Sequence, residues 1–107
     1  VKTLFLLIDD VLQGIRKEQE LIIENTAVQA LSVHLAFLVD KIKKGEERPA
    51  FENVKYFHQQ HQLRFNQTAI KLTVIEKQFG IRFTEDDIAY IVKTLEDNRV
   101  ELGSHSV

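Results

Sequence analysis

Apolar residues recur at three- and four-residue intervals along almost the whole chain, the signature of amphipathic helices. Leu4, Leu7, Ile8, Val11, Leu12, Ile15 and Ile22 predict a first helix over roughly residues 2–22. Gly14 inside it either costs about 1 kcal/mol relative to Ala or marks a close helix contact. Asn25 and Thr26 are suited to cap a second helix, whose apolar positions are Ala27, Val28, Leu31, Leu35, Leu38, Val39 and Ile42. Lys41, Lys43 and Lys44 complement the helix dipole in its last turns, and Gly45 is a natural stop. After the polar Glu46, Glu47 and Arg48, Pro49 fits the first position of a third helix with the stripe Phe51, Val54 and Phe57. A fourth stripe, Phe65, Ala69, Leu72, Ile75 and Phe79, ends at Gly80. Thr84 then caps a fifth helix, opened by Glu85, Asp86 and Asp87, that turns Ile88, Ile91, Val92 and Leu95 inward. These elements predict an all-α fold. They form a compact bundle of five helices arranged as antiparallel pairs, in one domain over residues 1–107 with a tail that frays from about residue 99.

Composition narrows the function classes. With 107 residues, 44% hydrophobic, the chain is long enough for one packed core. Its four glycines and one proline are too few for the turns of an all-β protein. The net charge of −2 lacks the basic excess on which phosphate-backbone attraction depends, so direct nucleic-acid binding is not expected. The absence of cysteine removes disulfides and thiolate zinc sites and fits a reducing cytoplasm. No unbroken apolar run is longer than the five residues of 4–8, far short of the roughly 20 residues of a membrane span. The chain starts at Val1 without Met, as a processed protein or a piece of a larger one does.

Candidate chemistry lies in four histidines, His34, His58, His61 and His105. His34 sits mid-helix among Ala30, Leu31, Phe37 and Leu38. Periodicity leaves two readings open. One is a half-buried ring bonded to a neighbouring helix; the other is a neutral imidazole able to attack phosphorus. The three-residue spacing of His58 and His61 would suit two metal ligands, but the sequence identifies no third, so no metal and no cofactor are expected. His105, near the terminus, reads as solvated. The adjacent carboxylates Asp9 and Asp10, Glu46 and Glu47, and Asp86 and Asp87 point apart on a helix and make poor catalytic pairs. Lys41, Lys43, Lys44 and Arg48 read as a solvated helix end. No phosphate loop, nucleophile elbow or dinucleotide fingerprint occurs, and no enzymatic activity is expected.

Read in order, these segments resemble a known family. The run Leu31-Ser32-Val33-His34-Leu35-Ala36-Phe37, followed by Asp40-Lys41, resembles the first histidine motif of the PRD, the phosphotransferase-system regulation domain of bacterial antiterminators and transcriptional activators. In that motif a Phe follows the His by three residues and an acidic-basic pair comes next. Arg48-Pro49-Ala50-Phe51 with Val54-Lys55 is similar to the family's Asn-Pro-Leu segment. Ala69, Ile75-Glu76 and Phe79-Gly80-Ile81 resemble its fourth helix, and Thr84-Glu85-Asp86-Asp87-Ile88-Ala89-Tyr90-Ile91 the start of its fifth. The likeness runs from about Ala30 to Leu95.

The resemblance implies a five-helix domain that commonly dimerises. It also implies phosphorylation of a histidine by phosphocarrier proteins of the sugar phosphotransferase system, in the control of gene expression. On that basis His34 is the expected phosphoacceptor. Asp87 and Thr94 on the fifth helix are candidates for the pocket facing it, Asp87 to orient the imidazole and Thr94 to donate a hydrogen bond, with Lys41 to neutralise phosphoryl charge. Thr94 occupies the position of the family's second histidine, four residues after Tyr90, and cannot form phosphohistidine. The competing expectation is a phosphorylation-deficient structural domain for dimerisation or docking.

Overall fold

The computed structural model describes residues 3–101. Five helices follow in order: α1 (Leu4–Gln19), α2 (Asn25–Lys43), α3 (Val54–Gln60), α4 (Gln62–Phe79) and α5 (Glu85–Asp97). The main core joins α1, α2, α4 and α5, with Ile8, Ile15 and Ile75 completely enclosed and Leu12, Leu72 and Leu95 nearly so. A second, smaller cluster, Phe65, Ala89 and Val92, is covered by Phe51, Val54 and Phe57 from α3 and the segment before it. No helix among the described residues is long and apolar enough to cross a membrane.

Several boundaries differ from the periodicity. The first helix stops at Gln19 rather than near residue 22, because Glu20 turns into the left-handed conformation at φ 54° and caps the last turn. The chain then runs extended and its period switches from 3.6 to 2. Leu21 and Ile23 are buried while Ile22, read as part of the helical stripe, faces solvent. Ile23 forms an antiparallel bridge with Arg99, and the Val100 N–H donates to the Ile22 carbonyl at 2.7 Å. Residues 99 and 100 are thus pinned where fraying is predicted; residues 102–107, with His105, lie outside the described part. Asn25 opens α2 rather than capping it, and Glu24 takes the cap position without a side-chain bond. Pro49 does not start α3, which begins at Val54 after a left-handed Asn53. Gly45 and Gly80 both adopt positive φ at helix ends, as a stop signal requires.

Gly14 is not held by a close approach. A methyl group added there meets only the Lys71 side chain, at 3.7–3.9 Å, which is ordinary contact. Gly14→Ala therefore stabilises the protein by about 1 kcal/mol through helix propensity, read as a raised urea midpoint with an unchanged m-value.

Candidate functional site

His34 lies in the middle of α2. Its ring is exposed, and no hydrogen bond ties it to another described residue. The half-buried, hydrogen-bonded histidine that periodicity allows is therefore not what folds. The apolar face of α2 is turned by Val28, Leu31, Leu35 and Val39, and His34 stands beside it rather than on it. The ring lines the wall of a cavity of about 350 Å³ formed by α2, α5 and the connection before α3. Leu12, Leu31, Leu35, Leu38 and Ile91 make the cavity apolar, and Lys41, Arg48, Asp87 and Thr94 bring polar groups to it.

Asp87 is the most constrained of these. It closes a capping box at the start of α5: the Thr84 hydroxyl accepts from the Asp87 N–H at 3.2 Å, and the Asp87 carboxylate accepts from the Thr84 N–H at 2.9 Å. Because it also faces the core, its side chain is only 3% exposed. Arg48 reaches it from the connection, with Nε donating to Oδ1 at 3.0 Å and Nη2 to Oδ2 at 2.9 Å. Burial alone would raise the Asp87 pKa. The Arg48 guanidinium and the Thr84 N–H outweigh it and hold the carboxyl below its usual range. The carboxylate is thus bonded to Arg48, not to the imidazole it was expected to orient. Thr94 likewise spends its hydroxyl hydrogen within α5, on the Tyr90 carbonyl at 2.7 Å, so toward the cavity its oxygen is an acceptor. Lys41 is exposed on the cavity wall. The Tyr90 hydroxyl donates to the Ala50 carbonyl at 2.9 Å, and its ring meets Phe51 edge-on at 4.9 Å, fixing the connection over α5.

Arg48 is the residue that sequence reasoning missed, since it was grouped with the solvated lysines. The lysines stay outside, Lys44 paired with Asp40 at 2.9 Å and Lys43 over the Phe79 ring, while Arg48 turns inward. One signal was present. A carboxylate at the third position of a capping box on an apolar helix face needs a cation once buried, and Arg48 stands in a segment held extended by the following Pro49.

The other histidines diverge. His58 stacks on Phe65 with ring centres 3.6 Å apart, and its Nδ1 meets Glu85 at 2.7 Å. His61 meets Glu96 through Nδ1 at 3.0 Å. Eleven residues of helix, about 16 Å, separate the two carboxylate-bearing residues. Spacing on the third helix therefore does not bring the two imidazoles to one centre. Among the described residues no group of three or more His, Asp or Glu side chains is placed to hold a metal. Lys55, and after it His58, hold Glu85 below the usual carboxylate range.

A second, shallow depression of about 240 Å³ lies on the outer face of α1 and α2, lined by Phe5, Val33, Ala36, Phe37 and Asp40. Phe5 and Phe37 are more than half exposed.

Comparison with known proteins agrees with the motif order. The PRD domain model matches residues 9–98, a span that takes in all of α2 to α5, most of α1 and the whole cavity around His34. No curated protein and no solved structure matches the chain. With five helices in the expected order and the family model covering most of its length, the chain belongs to the PRD family, a regulatory rather than a catalytic domain of the sugar phosphotransferase system.

Proposed function

We propose that this protein is a regulatory module modulated by phosphorylation of His34 and acting through contacts between two copies in the control of gene expression. Its phosphate donors are phosphocarrier proteins of the sugar phosphotransferase system, and its place of action is the cytoplasm, where those carriers work. The observation that carries the reading is the open imidazole of His34, hydrogen-bonded to no other described residue, in the wall of a cavity that also holds Lys41 and Arg48. A lone pair of the neutral imidazole forms the N–P bond. The bond from phosphorus to the carrier's histidine nitrogen or cysteine sulfur breaks, its electron pair remaining on the carrier. Lys41 meets the added charge from the surface, and Thr94 lies along the same wall as an acceptor. The exposed Phe5, Val33 and Phe37 supply an apolar face for a second copy.

Incubation with phosphorylated carrier labels the wild-type chain at one histidine, and His34→Ala abolishes the label while circular dichroism remains helical. A wild-type chain that stays unlabelled beside a labelled two-histidine relative would identify the phosphorylation-deficient docking domain instead. The Thr94 at the family's second histidine position is the feature that favours that reading.

A further inference from the structure

Three of the five N–H bonds of Arg48 are committed, and each of its nitrogens supplies one. Nε and Nη2 donate to the two oxygens of Asp87, and Nη1 donates to the Glu46 carbonyl at 3.0 Å. Arg48 and Lys41 are the cationic side chains lining the cavity, and His34 stands in its wall. A phosphoryl group on His34 brings close to two negative charges to a space that already holds a buried carboxylate depending on that guanidinium. Building on the reading of His34 as phosphoacceptor, we infer that Arg48 is the phosphoryl-binding residue of this cavity and passes from Asp87 to the phosphoryl group when His34 is modified.

Geometry and charge both favour the exchange. The planar fork of a guanidinium matches two phosphoryl oxygens as it matches two carboxylate oxygens, whereas Lys41 offers a hydrated point charge from an exposed position. Asp87 already fills the Nε–Nη2 fork, so a second anion gains that fork only by taking it from Asp87. The carboxylate carries one charge and the phosphoryl group nearly two, so the phosphoryl group wins the contest. Asp87 is then left buried beside a dianion without its counter-ion and takes up a proton. The connection before α3 loses its two Arg48 bonds to Asp87 and keeps the Tyr90 bond to Ala50. Modification of α2 is thereby felt at the start of α5 and along the connection, through one side chain.

The test phosphorylates the full chain with potassium phosphoramidate, which transfers its phosphoryl group to imidazole with release of ammonia. The phosphate is mapped by mass spectrometry and the Asp87 carboxyl carbon is titrated by NMR. On the phosphorylated protein the Asp87 pKa rises by about one to three pH units, as for a carboxylate losing an adjacent cation, and the Arg48 Nε–H resonance shifts while staying protected from exchange. Arg48→Lys keeps the charge but not the fork, and its phosphohistidine hydrolyses several-fold faster than that of the wild type. Phosphate on His34 with Asp87 titrating as in the unmodified protein overturns the exchange alone and leaves His34 as acceptor, its charge met by Lys41 or water. A His34 that takes phosphate from neither phosphoramidate nor carrier overturns both readings.

Discussion

Arg48→Ala unfolds more easily than the wild type by about 2–3 kcal/mol at pH 7, and the deficit shrinks in acid. The substitution leaves Asp87, 3% exposed, as a buried carboxylate without its cation. Breaking a fully buried pair in this way costs about 3–5 kcal/mol. The Arg48 side chain is 19% exposed, so water screens part of the interaction and the lower figure applies. The pH dependence follows from the direction of the Asp87 shift. In the wild type the folded-state pKa is depressed, so this group's stabilisation is complete above the unfolded value of about 3.9 and is lost as pH falls through the folded value. In Arg48→Ala only the Thr84 hydrogen bonds still oppose burial, so the Asp87 pKa lies above its wild-type value. The variant therefore protonates Asp87 at a higher pH than the wild type does, and the gap between the two proteins narrows as pH falls. Urea unfolding of both proteins at pH 7 and pH 4 measures the convergence; a constant gap across that range would mean that Asp87 is not the group responsible.

Leu72→Ala costs about 3 kcal/mol, within the range of about 2–5 for enclosed leucines. Leu72 is 1% exposed in the main core, and truncation leaves a cavity between packed helices that cannot collapse around it. Leu63→Ala on the same helix, where the side chain is 71% exposed, changes stability by no more than about 0.5 kcal/mol. Leu72 does not line the His34 cavity, so below its melting temperature the Leu72→Ala protein takes phosphate at the wild-type rate. Chemical denaturation and phosphate incorporation on the same preparation separate the two effects.

The helices were largely legible because burial follows a 3.6-residue period, and one buried face per helix is what packing requires. Val28, Leu31, Leu35 and Val39 on α2 and Ile91, Val92 and Leu95 on α5 all lie where the stripe puts them. The misreadings fall where local signals conflict with tertiary contact. Nothing in Glu20 announces a left-handed cap, since its helix end is imposed by the bridge that holds Ile23 to Arg99. Thr68, a polar residue on the α4 stripe, is completely buried because Gln19 of α1 donates to its hydroxyl at 3.0 Å, a partner 49 residues away. In the site, the motif order located His34, Lys41, Asp87 and Thr94, and all four line one cavity. What each one bonds was not legible. The Arg48–Asp87 pair spans 39 residues, and Thr94 satisfies its hydroxyl within its own helix.

The short helix α3 contributes no fully buried residue, and none of its side chains belongs to the main core. It is held by partly covered rings and by the contacts of Lys55 and His58 to Glu85 of α5. Cohesion in the molecule therefore comes in two tiers. The four-helix body opens only with global unfolding, whereas the stretch from the end of α2 through α3 can breathe at a fraction of that free energy. One rim of the histidine-bearing hollow belongs to the looser tier, so the protein can change the shape of that rim while its frame stays intact.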